Sequence, residues 1–164
     1  MVITVPTSIY YSEIAPGDVY SVGPNWGEKS VSANNAEVWA KGDLLQAHAT
    51  TGVVSKAALN SVTTGKFAVA ARAKTSTSAE GIVLGKDAIN KIALTFSGVV
   101  VPNHRVKPGT AGQVQSFVDG TDLVTTEVGV YVGHISEVGS GDKLGTNTAA
   151  AEVAIVEINP ANWL

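Results

Sequence analysis

Phe67-Ala68-Val69-Ala70-Ala71-Arg72-Ala73-Lys74 and Val128-Gly129-Val130-Tyr131-Val132-Gly133-His134-Ile135 decide the fold class. Apolar and β-branched residues recur at alternate positions in both, the period of a strand with one buried face; a helix would repeat every 3.6 residues. Working outward, short runs rich in Val, Ile, Thr and Phe read as strands over residues 37–40, 43–48, 53–56, 66–74, 81–84, 91–101, 113–118, 129–138 and 152–158. Turn clusters separate them, among them Thr51-Gly52, Asp119-Gly120 and Gly139-Ser140-Gly141-Asp142. Helix is nearly absent: residues 55–62 and 85–90 have room for one or two turns each. The chain reads as all-β, a compact β-sandwich or small β-barrel with an extended N-terminal arm and little helix.

Composition agrees. Of 164 residues 45% are apolar and only 15% charged, against a norm of about 25%, which argues against a disordered chain. A chain of about 150 residues buries roughly 68–70% of its unfolded surface, enough for one real core. No apolar run approaches the ~20 residues that span a bilayer, so no membrane partner is expected. Met1-Val2-Ile3-Thr4-Val5-Pro6 lacks the basic and long apolar stretches of a secretory signal. With no cysteine, packing alone must hold the fold, and thiolate metal sites and Cys nucleophiles are excluded.

Residues 1–36 differ from the rest. They hold Tyr10, Tyr11, Tyr20 and Trp26, and Pro16-Gly17 and Gly23-Pro24 interrupt any long element. They read as an extended arm with short strand pieces, free to cross onto a neighbour or to fold back over its own core, followed by a β-rich core over 37–158 and a tail over 159–164. An arm of ~35 residues reaches at most ~115 Å, far enough to cross onto a neighbouring subunit. Tyr and Trp are enriched at interface hot spots, so Tyr10, Tyr11, Tyr20 and Trp26 are the candidate contact residues, with Trp163 either a second anchor or tucked against its own sheet. Trp39 and Phe67 are expected in the core.

The net charge is −3, and nucleic acid is a poor partner for such a surface. Its distribution is uneven: bases dominate residues 41–107, acids the segments on either side. In the fold these charges are expected to interleave and cancel locally; the sharper alternative is a polarised subunit whose basic face meets a neighbour's acidic face. Gly42-Asp43-Leu44-Leu45 and Gly141-Asp142-Lys143-Leu144 share G-D-x-L, while Gly52-Val53-Val54 and Gly129-Val130-Tyr131 both lead apolar strands. G-D turns recur in many β proteins, so this echo reads as turn chemistry rather than duplication.

Motifs for chemistry fail. Gly65-Lys66 is followed by Phe67 and Gly85-Lys86 by Asp87, so neither makes a phosphate loop. His48, His104 and His134 have no metal-ligand spacing. No G-x-S-x-G elbow and no EF-hand order are present. No enzyme and no cofactor are expected.

Two longer stretches carry a resemblance. Val38-Trp39-Ala40-Lys41-Gly42-Asp43-Leu44-Leu45 with Thr51-Gly52-Val53-Val54, and Val106-Lys107-Pro108-Gly109-Thr110-Ala111-Gly112-Gln113-Val114 with Gly129-Val130-Tyr131-Val132-Gly133-His134-Ile135, resemble tailed-bacteriophage capsid decoration (cement) proteins. The likeness covers residues 37–158 and lies in spacing and composition. It implies a structural protein, made in the host cytoplasm, that sits on the capsid exterior as a homotrimer and holds major capsid protein subunits together. The alternative is a carbohydrate-binding or adhesive β-sandwich module of a virion or tail, and third a small hydrolase.

Overall fold

The computed structural model describes residues 14–58, 65–136 and 145–164. Among the described residues, eleven strands form two antiparallel sheets: β1 (Val19–Val22), β2 (Lys29–Ser32), β3 (Leu44–Ala47), β4 (Val54–Lys56), β5 (Phe67–Ala70), β6 (Glu80–Leu84), β7 (Ile89–Thr95), β8 (Arg105–Pro108), β9 (Val114–Ser116), β10 (Gly129–Ser136) and β11 (Val153–Ile158). Six strands run in the order β1-β7-β11-β10-β8-β9 and five in the order β2-β6-β5-β3-β4. The protein is an all-β sandwich. Its only described helical pieces are 3-10 turns at Val124–Thr126 and Pro160–Asn162.

The two sheets are built to one plan. Strand for strand, β2-β6-β5-β3-β4 matches β7-β11-β10-β8-β9. The registers match as well. Lys29↔Val83 and Ser32↔Glu80 correspond to Ile92↔Val156 and Thr95↔Val153. Leu44↔Val69 and Leu45↔Ala68 correspond to Arg105↔Val130 and Val106↔Gly129. Ala47↔Val54 corresponds to Pro108↔Val114, and Ala70↔Val83 to Tyr131↔Val156. One parallel bridge curls each sheet toward closure at the same place, Ala33↔Val54 and Phe96↔Val114. The turns correspond too: Gly42 donates to the carbonyl of Ala70 at 2.8 Å, and Asn103 to that of Tyr131 at 2.7 Å. Both turn residues have positive φ, +88° and +67°, which Gly adopts freely and Asn tolerates. The chain is therefore an internal duplication, with β1 added along the outer edge of β7.

This duplication is not the one hinted at by the G-D-x-L echo. Gly42 corresponds to Asn103, whereas residues 141–144 lie outside the described residues. The units fill their interiors differently. In the first, Trp39 is 1% exposed and packs in a cluster with Ala70, its ring lying flush against Gly81. In the second, the corresponding positions are Val100, Tyr131 and Ala154, all buried. Large and small side chains have exchanged places, which keeps each interior near close packing. Lys74 and Thr148 also correspond and are buried at 4% and 2%. Lys74 Nζ donates to the Glu37 carbonyl at 2.7 Å, and Thr148 Oγ1 to the Gly98 carbonyl at 2.8 Å. Between the units, Leu44, Phe67 and Val69 pack in one cluster with Ile89, Ile92 and Trp163. Each such side chain contributes about 1.5–3 kcal/mol by burial.

Several expectations change. In the described part of residues 1–36 the short strand pieces lie on the chain's own body, β1 paired with β7 and β2 with β6; residues 1–13 lie outside the described residues. The half-exposed, four-residue patterns of β1 and β2 lie between Pro/Gly breaks and leave little periodic signal. β8 escaped the reading because it carries two charges and a proline. The expected strand over 37–40 reduces to one bridge, Trp39↔Lys74. Of the expected helical turns, residues 55 and 56 end β4 and residues 59–62 lie outside the described residues, while residues 86–88 form a hydrogen-bonded turn that leads into β7. The tail over 159–164 is built into the body. Leu164 donates to the Phe67 carbonyl at 2.9 Å, and its own carbonyl accepts from Lys86 at 2.8 Å.

The charges interleave. Asp18 pairs with Lys41, Glu28 with Arg72, Glu157 with Lys91, Asp119 and Glu127 with Arg105, and Asp122 with Lys107. In each pair a base of the middle segment meets an acid of a flank.

Candidate functional site

A cleft of about 380 Å³ opens among residues 17–19 and 26–28 of the N-terminal segment and Lys41, Ala71 and Leu84. Gly17, Val19, Ala71 and Leu84 line it together with Trp26. Two glycine turns shape it. Gly17 and Gly42 both have positive φ, and a Cβ on Gly17 would come within 2.9 Å of the Gly42 Cα. The chain can pass here only because neither residue has a side chain.

Two ion pairs rim the cleft. Asp18 sits 3.8 Å from Lys41 and also accepts from the Ala15 N–H at 3.0 Å. Glu28 sits 2.7 Å from Arg72. Exposed pairs of this kind are worth about 0–1 kcal/mol, so a ligand or partner could displace either contact cheaply.

The aromatic side chains divide sharply. Trp26 is 70% exposed and Tyr20 43%, with Val22 also exposed on the same face of β1 as Tyr20. The other described aromatics, Trp39, Phe67, Phe96, Phe117, Tyr131 and Trp163, are buried. Trp163 is thus a core residue rather than a surface anchor. Its ring meets Phe67 edge-on at 6.4 Å, and its Nε1 donates to the Val128 carbonyl at 2.8 Å. Tyr10 and Tyr11 lie outside the described residues. The structure thus leaves Tyr20 and Trp26 as the exposed pair. Sequence reading missed the flanking Asp18, Glu28, Lys41 and Arg72; Pro16-Gly17 and Lys41-Gly42 were the available signal, since both mark tight turns.

A second exposed apolar group, Val118, Leu123 and Val124, follows β9. Here Lys107 and the Val118 N–H hold Asp122 at 2.6 Å each. Although burial works against it, these bonds and the Lys107 charge keep the Asp122 carboxyl below its ordinary range. Among the described residues no three His, Cys, Asp or Glu side chains gather to hold a metal. His48 Nδ1 accepts from the N–H groups of Thr50 and Thr51 at 3.2 and 3.3 Å, a turn contact. No described helix is long and apolar enough to cross a membrane. No protein-family model and no curated protein matches this chain.

Proposed function

We propose that this chain is a non-catalytic capsid decoration protein, acting as a homotrimer on the outside of a phage head and joining major capsid protein subunits. The observation that carries the reading is the exposure of Trp26 and Tyr20 beside the cleft while the other described aromatics are buried. Exposed Trp and Tyr at a shaped depression are the side chains that most often dominate protein–protein binding energy. The sequence resemblance over residues 37–158 supplies the kind of partner. Several weak contacts per trimer add through avidity, which suits shallow, charge-rimmed sites.

The test is binding of purified protein to undecorated heads. Trp26→Ala should weaken binding roughly 30-fold, the effect of about 2 kcal/mol at a hot spot, while leaving the fold intact. Unchanged binding would remove this face from the reading, and no head binding by the parent protein would overturn it. A carbohydrate-binding role is the second reading, favoured by Trp26 standing beside the carboxylates of Asp18 and Glu28. Saturable binding to a glycan array, lost in Trp26→Ala, would replace the first reading with this one.

A further inference from the structure

One contact between the two units has an unused counterpart on each of them. In the first unit, Leu44 and Ala57 extend the pairing of β3 with β4, and Ala57 donates to the Leu44 carbonyl at 2.9 Å. The return bond is not direct. Leu44 donates to the Gly112 carbonyl at 2.7 Å and Gly112 donates to the Ala57 carbonyl at 2.8 Å, so the β8–β9 loop of the second unit seats its glycine between them. In the second unit Arg105 and Phe117 take the places of Leu44 and Ala57, and Phe117 donates to the Arg105 carbonyl at 3.0 Å. Among the described residues, nothing accepts from the Arg105 N–H or donates to the Phe117 carbonyl. Val118, the residue after Phe117, is exposed, as are Leu123 and Val124. The seating loop has a counterpart as well. Residues 109–113 close with a bond from the Gly109 N–H to the Gln113 carbonyl at 2.8 Å, and residues 48–53 with one from the His48 N–H to the Val53 carbonyl at 2.9 Å. In both, a glycine of positive φ stands one place before the end, Gly112 at +83° and Gly52 at +71°. Gly52 is exposed, and a Cβ on it would meet nothing within 4 Å.

We propose that the Gly52 loop of one copy of this chain docks between Arg105 and Phe117 of the next, repeating between chains the contact already made within the chain. The occupant is identified by what fills the equivalent place in the first unit: the same hairpin loop of the same fold, entering with the same glycine. In the docked state the Gly52 carbonyl accepts from the Arg105 N–H. The Gly52 N–H, bonded to the His48 carbonyl at 2.8 Å in the free copy, turns to the Phe117 carbonyl. Main-chain bonds at a sheet edge supply affinity, and N–H and C=O groups left without partners favour whatever pairs them. Docking also takes Val118, Leu123 and Val124 at the rim out of water. At the seat the core residue Leu44 is replaced by Arg105, which pairs with Asp119 and Glu127. The face that a free copy leaves bare is therefore polar, as on the end unit of a repeat array, and the contact is reversible. Loop and seat are different surfaces, so the contact is heterologous and closes into a ring when the rotation allows. The inference rests on the self-association in the reading above and gives it a site.

The absence of cysteine makes the test clean. In the full chain, Thr51→Cys and Val118→Cys together should give, on mild oxidation, a ladder of disulfide-linked oligomers ending at the size the parent shows by sedimentation. Either single variant should give none. A Cβ on the seated Gly112 would come within 3.2 Å of Asp43, and His104 takes the place of Asp43 in the second unit. Gly52→Ala should therefore weaken self-association about 10-fold or more, with an unchanged circular dichroism spectrum. A parent that stays monomeric, or a Gly52→Ala variant that associates as tightly as the parent, overturns the proposal. Dimers from Val118→Cys alone would mean that two apolar rims meet each other, which also overturns it. An oligomer that forms and binds heads without any cross-link in the double variant would sink the loop seat while leaving the decoration reading intact. A full ladder from a protein that ignores heads would uphold the seat and sink that reading.

Discussion

Replacing Trp39 by Val tests whether the two units share one packing plan. Trp39 is 1% exposed, and losing most of its ring leaves a cavity worth about 3–4 kcal/mol. Its contact with the Lys74 ammonium, 5.8 Å from the ring centroid, adds about 0.5–1 kcal/mol. Against this, Trp39 Nε1 is buried without an acceptor among the described residues, and removing it returns about 1 kcal/mol. The net loss is about 3 kcal/mol. Ala70→Phe alone overpacks the same cluster and costs about 1–3 kcal/mol. Together the two changes recreate the Val100 and Tyr131 arrangement of the second unit, so the double variant should lose only about 2–3 kcal/mol. That is a coupling of roughly 2 kcal/mol in favour of the pair. Urea unfolding at equilibrium, with unchanged m, measures it. Losses that simply add, within about 0.5 kcal/mol, would refute the equivalence of the two interiors.

Trp163→Ala should cost about 3–5 kcal/mol because it empties the space beside Phe67 and removes the Nε1 bond to the Val128 carbonyl, which keeps only the Asn159 N–H, whereas Trp26→Ala should change stability by no more than about 0.5 kcal/mol. Thermal or urea unfolding of the two variants separates core from surface tryptophan. Lys74→Thr should be milder than Lys74→Ala, since Thr148 makes the corresponding bond in the second unit; the difference should be about 1 kcal/mol in urea unfolding. Burial first, and the Glu152 charge second, push the Tyr131 hydroxyl up to about 12. Folding therefore favours the protonated form: this contribution is whole below pH 10, and falls by about 2–3 kcal/mol as pH rises from 10 to 12. Tyr131→Phe should remove that slope from a pH series of unfolding free energies.

Strand positions were legible where one face is buried and the other is not. β10 reads from the alternation of Val128, Val130 and Val132, and β11 from its run of Val and Ile. β1 and β2 were not, because each has four residues, at most two of them apolar and facing inward, so that pairing rather than pattern makes them strands. The candidate contact residues divide the same way. Aromatic enrichment marked Tyr20, Trp26 and Trp163 alike, since composition is blind to which tryptophan has neighbours. The Phe67 ring and the Val128 carbonyl claimed Trp163, and nothing comparable claims Trp26.

By itself the amino-acid sequence determined the β class, the turns and the charge balance, because alternation, glycine placement and ionic state are local properties. Only the tertiary structure decided that the chain repeats itself. Backbone hydrogen bonds carry the register, and they accept any side chains of the right summed volume, so Trp39 with Ala70 and Val100 with Tyr131 serve the same plan without looking alike. Trp26 and Trp163 differ for the same kind of reason: a side chain is buried when others pack against it, as the core cluster packs on Trp163, and which residues meet is settled across the fold.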